Sequence, residues 1–542
     1  MNNFKTGAWI ATLATAAGAL LTPAHAAAPG ITGPTFNLVA SPAFIQQPDG
    51  QAMYSWGYGC SSAPSGFSPG AIHGATCNVM QIPGPTLVVT EGDAVTVNLL
   101  NGLPGPAGNT SILFPGFNVS TSCSASTPSG AQGLLTCEAA PGGTVTYKFT
   151  AGSPGTRAYY SGTQGDLQVE MGLFGAIIVL PKNVPANCTA GLPATNPGAN
   201  AAAQKAWGES DFRHAAAAFD NASTCYDREY LFQFSEMDPN IHNTALAQVT
   251  ALGSCTAGSA GCSLNVPTEP YHPGYFMING RSMPDDMDPN YAVQYPHQPY
   301  NGNPHMHPGE ITLLRIIGQG RWQHPFHEHA NHVRILARDG NMLLSASDGT
   351  SLAGPLMFTT TTTPGLAMDG LFYYTGRGLN WDMYGHNPSS TDANATLPCT
   401  PDANGYNTIG TDGKAYTRIN YFEWCQDHNK PVQAAPFGDV PAGGPVTLPD
   451  PNIFTNGAWY GGSPYLGPDA TARATFGSPG AGTTGTTPPS GTIANSPGSE
   501  AGFAFMWHSH NEREITTNNI FPGGMLMMML VDSREFPIDE AQ

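Results

Sequence analysis

The sequence predicts an all-β fold of more than one module, and three features of the chain indicate it. Only 11% of the 542 residues are charged, whereas glycine (65) and proline (49) are abundant. That composition suits a loop-rich β protein better than a helical one. Apolar and polar residues alternate with the period of two that marks half-buried strands, as in residues 145–150. The length exceeds that of one small domain, so we expect two or three.

The first 26 residues have the features of a secretory signal peptide. Lys5 supplies a positive charge, residues 8–21 form a short apolar run, and Ala24-His25-Ala26 offers small residues at a cleavage site. The run is short for a membrane anchor, and no later stretch is long and apolar enough to span a bilayer. We therefore expect an exported protein, periplasmic or extracellular, without a membrane span.

Charge and cysteine content narrow the class of protein further. The formal net charge is −19, which argues against nucleic acid and anionic membranes as partners. All ten cysteines follow the signal peptide, and an oxidising compartment would allow five disulfides. Proximity in the chain suggests the close pairs Cys60/Cys77, Cys123/Cys137, Cys255/Cys262 and Cys399/Cys425, which leaves Cys188/Cys225 as the fifth.

The chain divides by composition into two strand-rich parts. We predict a first module over residues 27–182 and a linker, rich in Ala, Asn, Pro and Gly, over 183–224. A second module covers 225–542. It contains a loop-rich insertion at about 385–500, where Gly, Pro, Thr, Ser and Asn replace the apolar residues that a packed core needs.

Histidines recur in two short motifs of the second module. The first reads His324-Pro325-Phe326-His327-Glu328-His329 and the second reads Trp507-His508-Ser509-His510. Because side chains alternate along a strand, a His-x-His pair places both imidazoles on one side. Two such pairs predict a convergent metal site.

These motifs, with others in the same order along the chain, resemble the multicopper oxidase family. The other matching segments are Pro83-Gly84-Pro85 with Glu91-Gly92-Asp93, Gln168 with Gly172-Leu173-Phe174-Gly175, Phe276 to Gly280, and Gly524-Met525. The resemblance implies tandem cupredoxin-like Greek-key β-barrels or sandwiches, with the long loop-rich insertion in the second. It leaves a homo-oligomer open, since two-domain relatives often build their copper site between subunits.

The first module departs from the family pattern at every ligand position of its two copper motifs. Leu113 and Pro115 occupy the histidine positions after the Thr110-Ser111-Ile112 strand. Tyr160 and Gly162 stand where the next two histidines belong. A three-copper cluster of the family type is therefore not expected.

The second module keeps part of the pattern. By resemblance, His324 would serve the blue copper, His327 the type 2 copper, and His329 a type 3 copper. His508 and His510 would be type 3 ligands. Ser509, however, stands in place of the thiolate that a blue copper needs beside two imidazoles. The family's next blue-copper histidine would fall near Glu514, and Met525 matches the axial position only with an insertion.

The candidate metal ligands are therefore His327, His329, His508, His510 and, with fewer partners, His324. Imidazole with carboxylate and water suits copper(II), and also zinc, manganese or iron. Copper is the expected cofactor, with the number of ions open. Glu512 and Glu514 are the candidate catalytic groups, as ligands or proton carriers.

Two classes of function fit this pattern. The first is a copper-dependent oxidoreductase with a reduced histidine site and a small-molecule or metal-ion substrate, manganese oxidation being one variant by analogy. The second is a non-catalytic cupredoxin scaffold that binds copper or a partner protein. His305 and His307, in a Pro/Asn-rich segment, suggest a second surface metal site, although exposed loop histidines are usually only solvated.

Overall fold

The fold is two β-sandwiches in one chain, as a computed structural model shows. The structure describes residues 28–121, 131–189, 210–307, 309–374, 399–401, 403, 425, 462–465, 502–532, 538 and 540. The predicted signal peptide and nearly all of the predicted insertion lie outside the described residues. No helix among the described residues is long and apolar enough to cross a membrane.

The first module packs two five-stranded sheets face to face. One sheet has the order β11-β12-β5-β1-β4; its strands are β1 Gly30–Thr32, β4 Phe67–Ser68, β5 Leu87–Thr90, β11 Gly155–Tyr160 and β12 Phe174–Leu180. The other has the order β3-β2-β6-β10-β7; its strands are β2 Thr35–Gln46, β3 Ala52–Cys60, β6 Ala94–Asn101, β7 Ser120–Thr121 and β10 Thr144–Thr150. A small hairpin joins β8 Ala131–Gln132 to β9 Cys137–Glu138.

The second module repeats this arrangement with two larger sheets. The first sheet has the order β14-β13-β16-β22-β18-β19, with β20 beside β18; its strands are β13 Arg228–Met237, β14 Tyr275–Ile278, β16 Ile311–Gly318, β18 Val333–Arg338, β19 Asn341–Met342, β20 Leu356–Met357 and β22 Ala367–Tyr373. The second has the order β15-β25-β24-β17-β21, with β23 beside β24; its strands are β15 His305–Met306, β17 His324–Glu328, β21 Thr359–Thr362, β23 Gly462–Tyr465, β24 Gly502–Ser509 and β25 Leu526–Asp532.

Short helices connect the strands. They are α1 Gly165–Gln168, α2 Ala186–Thr189 and α3 Pro239–Leu252, with single 3₁₀ turns at Gly105–Ala107 and Asp285–Met287. Helix α3 begins after Asp238, whose side chain accepts a hydrogen bond from the backbone of Asn240, and it has Pro239 at its first position. Both features favour a helix start there.

Each module buries its own apolar core between its two sheets. In the second module, Phe232 and Phe234 of β13 meet Phe326 of β17 and Trp507 of β24, with the Phe234 and Phe326 ring centroids 4.7 Å apart. Met525, Met527 and Met529 are buried in the same core. Aromatic burial of this kind stabilises each sandwich by area removed from water.

The predicted all-β class is confirmed, and so are four of the five proposed disulfides. The observed pairs are Cys60–Cys77, Cys188–Cys225, Cys255–Cys262 and Cys399–Cys425. Cys137 is also disulfide-bonded, while Cys123 lies outside the described residues. The Cys188–Cys225 bond ties the predicted linker to the first residue of the second module. Part of the linker is packed, since Ala218 and Phe219 are buried against Leu313 and Leu336.

One expectation for the second module is wrong. His305 and His307 do not lie on an exposed loop; they are 1% and 0% exposed. The backbone of His305 pairs with β25 in parallel, and the His307 amide donates to Glu310 Oε2 over 2.9 Å. An extra strand at the sheet edge therefore buries them, and they do not form a surface metal site.

Candidate metal centre

Strands β17 and β24 pair antiparallel and bring the two histidine motifs together. His327 lies opposite His508, and Phe326 lies opposite Ser509. Because side chains alternate between the faces of a sheet, each motif divides its residues between two environments. Phe326 and Ser509 face the apolar core, whereas His327 and His508 lie on the other face.

The four histidines on the outer face form one group, the histidine cluster of His327, His329, His508 and His510. Ring-centroid distances are 4.8 Å for His327 to His510, 4.9 Å for His327 to His329 and 5.1 Å for His329 to His508. His327 and His329 are buried, and His510 is exposed. The four imidazoles therefore converge, as the His-x-His spacing predicts. The cluster reaches the surface at His510.

Two nitrogens of this cluster are close enough to share one ion. The Nε2 atoms of His329 and His508 lie 3.2 Å apart. Two imidazoles bound to one metal at about 2.0–2.1 Å place their nitrogens about 3 Å apart. In the described part of the chain, however, no group of three or more His, Cys, Asp or Glu side chains is arranged to hold an ion.

The surroundings of the cluster favour the neutral form of two of its imidazoles, His327 and His508, and orient both rings. Burial, followed by the charges of His329, His508 and His510, lowers the pKa of His327 to about 4, and burial also lowers the pKa of His508. His508 Nδ1 lies 2.7 Å from the carbonyl oxygen of Ser509, and His327 Nδ1 lies 2.8 Å from Thr359 Oγ1. Metal-binding histidines are usually oriented by such a bond from the second ring nitrogen.

The core face of the same strands carries the position that resembles the blue-copper site. We call the group of Glu236, His324 and Glu514 the carboxylate triad. His324 is 0% exposed; its Nε2 lies 2.9 Å from Glu236 Oε2 and its Nδ1 lies 2.9 Å from Glu514 Oε2. Both ring nitrogens therefore bond carboxylates, which leaves neither nitrogen directed at a metal.

The remaining donors at this position are also engaged. Ser509 Oγ donates to Glu514 Oε2 over 2.5 Å, and Asn511 Nδ2 donates to Glu514 Oε1 over 2.9 Å. Met525 lies beside them, its amide donating to the Glu514 carbonyl over 2.8 Å. Serine and glutamate here replace the thiolate and the second imidazole, so these residues do not fit a blue copper ion.

The triad instead fits a buried imidazolium. Burial alone would lower the pKa of His324, but the hydrogen bonds and charges of Glu236 and Glu514 outweigh it and raise the pKa to about 9. Glu236 Oε1 also accepts from the backbone amides of Arg321 and Trp322, each over 2.7 Å. A charge pair in the core is tolerated when its hydrogen bonds are satisfied in this way.

The structure thus separates the residues that the sequence grouped. His327, His329, His508 and His510 lie together, whereas His324 and Glu514 lie on the opposite face; Glu512 is exposed at the surface. Both ring nitrogens of His324 bond carboxylates, an arrangement that does not favour metal ligation, and its role as a ligand stays a prediction. Sequence reasoning missed Glu236, whose one signal was an acidic residue inside the apolar strand β13, and it missed Thr359.

None of the four first-module positions carries a histidine, and three of them pack against one another. Leu113 and Tyr160 pair through their backbones, with Leu113 N donating to Tyr160 O over 2.8 Å. A Cβ atom on Gly162 would lie 2.7 Å from Leu113 Cγ. The leucine occupies the room that any larger side chain at 162 would need.

Comparison with known proteins finds a similarity to multicopper oxidases over part of the first module. A multicopper oxidase family model matches residues 71–184. An L-ascorbate oxidase of Brassica rapa subsp. pekinensis is 35% identical over 99 residues, 18% of this chain and 16% of that protein. A multicopper oxidase of Talaromyces pinophilus, MCE, is 36% identical over 108 residues, 19% of this chain and 16% of that protein.

These matches cover about one sixth of the length of the two relatives. The family model ends before both histidine motifs. Among solved structures, a multicopper oxidase, mgLAC, aligns over 93% of this chain and 87% of that chain, with 15% identity and a TM-score of 0.41. A blue copper oxidase from Nitrosomonas europaea aligns over 92% and 85%, also with 15% identity and a TM-score of 0.41.

Over part of its first module, the chain is therefore similar to multicopper oxidases.

Proposed function

We propose that the protein is an exported copper-binding oxidoreductase with a reduced histidine site and without a blue-copper centre. The observation that carries the proposal is the 3.2 Å separation of His329 Nε2 and His508 Nε2 within a cluster of four imidazoles. The two relatives described above are oxidases by name, and disulfides suit an oxidising compartment.

The side chains of the cluster would bind and orient the ion. His329 and His508 form the initial pair, and the bond from His508 Nδ1 to the Ser509 carbonyl keeps its Nε2 directed at that pair. His510 is exposed, so rotation of its side chain brings a third imidazole without disturbing the core. A bound copper ion would supply one-electron redox chemistry and Lewis acidity.

Acidic groups near the cluster have separate parts in this proposal. Glu512 is exposed two residues after His510 and is the carboxylate placed to exchange protons with water. Glu514 is 1% exposed and bonded within the carboxylate triad. Glu514 therefore fixes Ser509, and through it the strand between His508 and His510, instead of acting as a ligand.

A metal titration tests the copper site. Purified mature protein is loaded with copper(II), desalted, and measured for metal content and by electron paramagnetic resonance. We expect about one copper per chain, a type 2 signal and no intense visible band. The His329→Ala and His508→Ala variants should each lose most of the copper, whereas His73→Ala, an exposed histidine elsewhere, should retain it. Unchanged copper content in both cluster variants would contradict the site.

A second candidate, a non-catalytic cupredoxin scaffold for copper or a partner protein, is favoured by a different observation. The first module carries Leu113, Pro115, Tyr160 and Gly162 at the positions of its family ligands. Oxygen uptake by the copper-loaded protein, with small organic donors and with Mn²⁺, separates the two. Uptake that disappears in His508→Ala supports the enzyme; full copper binding without uptake supports the scaffold. Whether the protein is a homo-oligomer stays a prediction.

A further inference from the structure

A cleft lies between the two modules where the first-module ligand positions changed. Leu113, Tyr160 and Gly162 line it on one side, and Gln319, Gly320 and Pro364 line it on the other. Its volume is about 310 Å³. Three of the four positions that resemble lost copper ligands thus face one space, and none of the four clustered histidines is among its described lining residues.

The lining of the cleft is uncharged. Of the described residues that line it, none is Asp, Glu, Lys, Arg or His, and Leu113, Val169 and Pro364 supply apolar surface. An ion transferred into such a space would lose hydration without gaining a partner of opposite charge. The lining therefore selects for an uncharged molecule.

Few hydrogen-bonding groups in the cleft remain to orient a ligand. Gln319 Nε2 already donates to Gly175 O over 2.9 Å and to Gln233 Oε1 over 3.1 Å. Ser161 Oγ donates to Gln168 Oε1 over 2.7 Å. The Tyr160 hydroxyl, next to Gly365, is the group placed to meet a ligand. Burial raises its pKa, so the phenol stays protonated and can donate.

The size of the cleft limits the ligand to a small one. Natural ligand sites begin at about 300 Å³, and a cavity of about 150 Å³ holds benzene. The cleft, at about 310 Å³, accommodates one ring with short substituents. The far wall is close-packed, since a Cβ atom on Gly320 would lie 2.4 Å from Glu236 Oε2.

From these observations we propose that the inter-module cleft is a binding site for an uncharged, mainly apolar one-ring molecule that accepts a hydrogen bond from Tyr160. The site is independent of copper, because its lining and the histidine cluster share no described residue.

Ligand-observed ¹⁹F NMR on the full chain tests this site, with 4-fluorobenzyl alcohol as the probe. We expect saturable binding with a Kd of about 1 mM or tighter, as suits a ligand of this size. 4-Fluorobenzoate, of similar shape but charged, should bind at least about tenfold more weakly. No saturable binding of the alcohol, or equal binding of the benzoate, would overturn the proposal.

Matched variants locate the binding. Leu113→Trp and Val169→Phe fill the cleft from two walls and should each abolish binding; Leu356→Trp, at a residue 53% exposed in the second module, should leave it unchanged. Tyr160→Phe removes one hydrogen bond and should weaken binding about threefold to tenfold. Binding that survives both filling variants, with circular dichroism showing them folded, would place the probe elsewhere and overturn the proposal.

Discussion

His324 and His327 lie three residues apart on one strand, yet their imidazoles have opposite environments. On the core face, two carboxylates raise the pKa of His324 to about 9. On the outer face, burial and three neighbouring imidazoles lower the pKa of His327 to about 4. One strand therefore carries a protonated histidine that stabilises the fold and a neutral histidine suited to bind metal. The difference teaches that a sequence motif does not fix the role of each of its histidines. The groups that surround each ring decide that role.

The largest expected effect comes from breaking the carboxylate triad. Replacing Glu514 by Gln removes one of the two charges that pair with His324 in the core. Breaking a buried ion pair in this way typically costs about 3–5 kcal/mol. Chemical denaturation of the metal-free protein should show a loss of that order for Glu514→Gln, and less than about 0.5 kcal/mol for Glu512→Gln, its exposed neighbour. Equal effects of the two variants would show that the triad does not stabilise the fold.

A pH titration gives the next largest effect. The folded pKa of His324, about 9, exceeds the ordinary value of 6.5, so its contribution to stability is fully present below pH 6.5 and is lost as pH rises through 9. The contribution is at most about 3 kcal/mol. The pKa of His327 is shifted the other way, from 6.5 down to about 4. The folded state therefore loses stability as pH falls from 6.5 towards 4, because the unfolded chain binds a proton that the folded His327 does not. Imidazole NMR titration of the metal-free protein should separate the two rings; a His324 that titrates near 6.5 would contradict the comparison.

The smallest effect tests whether the missing thiolate alone prevents a blue-copper centre. Ser509→Cys and Ser509→Ala should both lose the bond to Glu514, at a cost of about 1.5–3 kcal/mol. After copper loading, neither variant should show an intense visible band, because Glu514 still bonds His324 Nδ1 and the described residues around it supply no second imidazole. A blue spectrum from Ser509→Cys but not from Ser509→Ala would mean that the triad opens to admit copper.

The sequence by itself determined the all-β class, the location of the core strands and the convergence of four histidines. These follow from local rules: apolar residues alternate with period two along strands such as β10, and two residues separated by one position share a face. Three of the four observed cysteine pairs could be matched because each lies close to its partner along the chain, and Cys188 and Cys225 were the two that remained. The sequence also showed that Ser509 stands in place of the expected cysteine and that no histidine occupies the expected ligand positions of the first module.

Only the tertiary structure decided which side of the sheet each of these residues faces and what it meets there. Glu236 reaches His324 from a strand 88 residues away, and no local pattern encodes that contact. The burial of His305 and His307 depends on a short strand added at a sheet edge, and the cleft beside Tyr160 exists only where two modules meet. Burial and long-range partners set the charge of an imidazole, and both are properties of the folded chain as a whole.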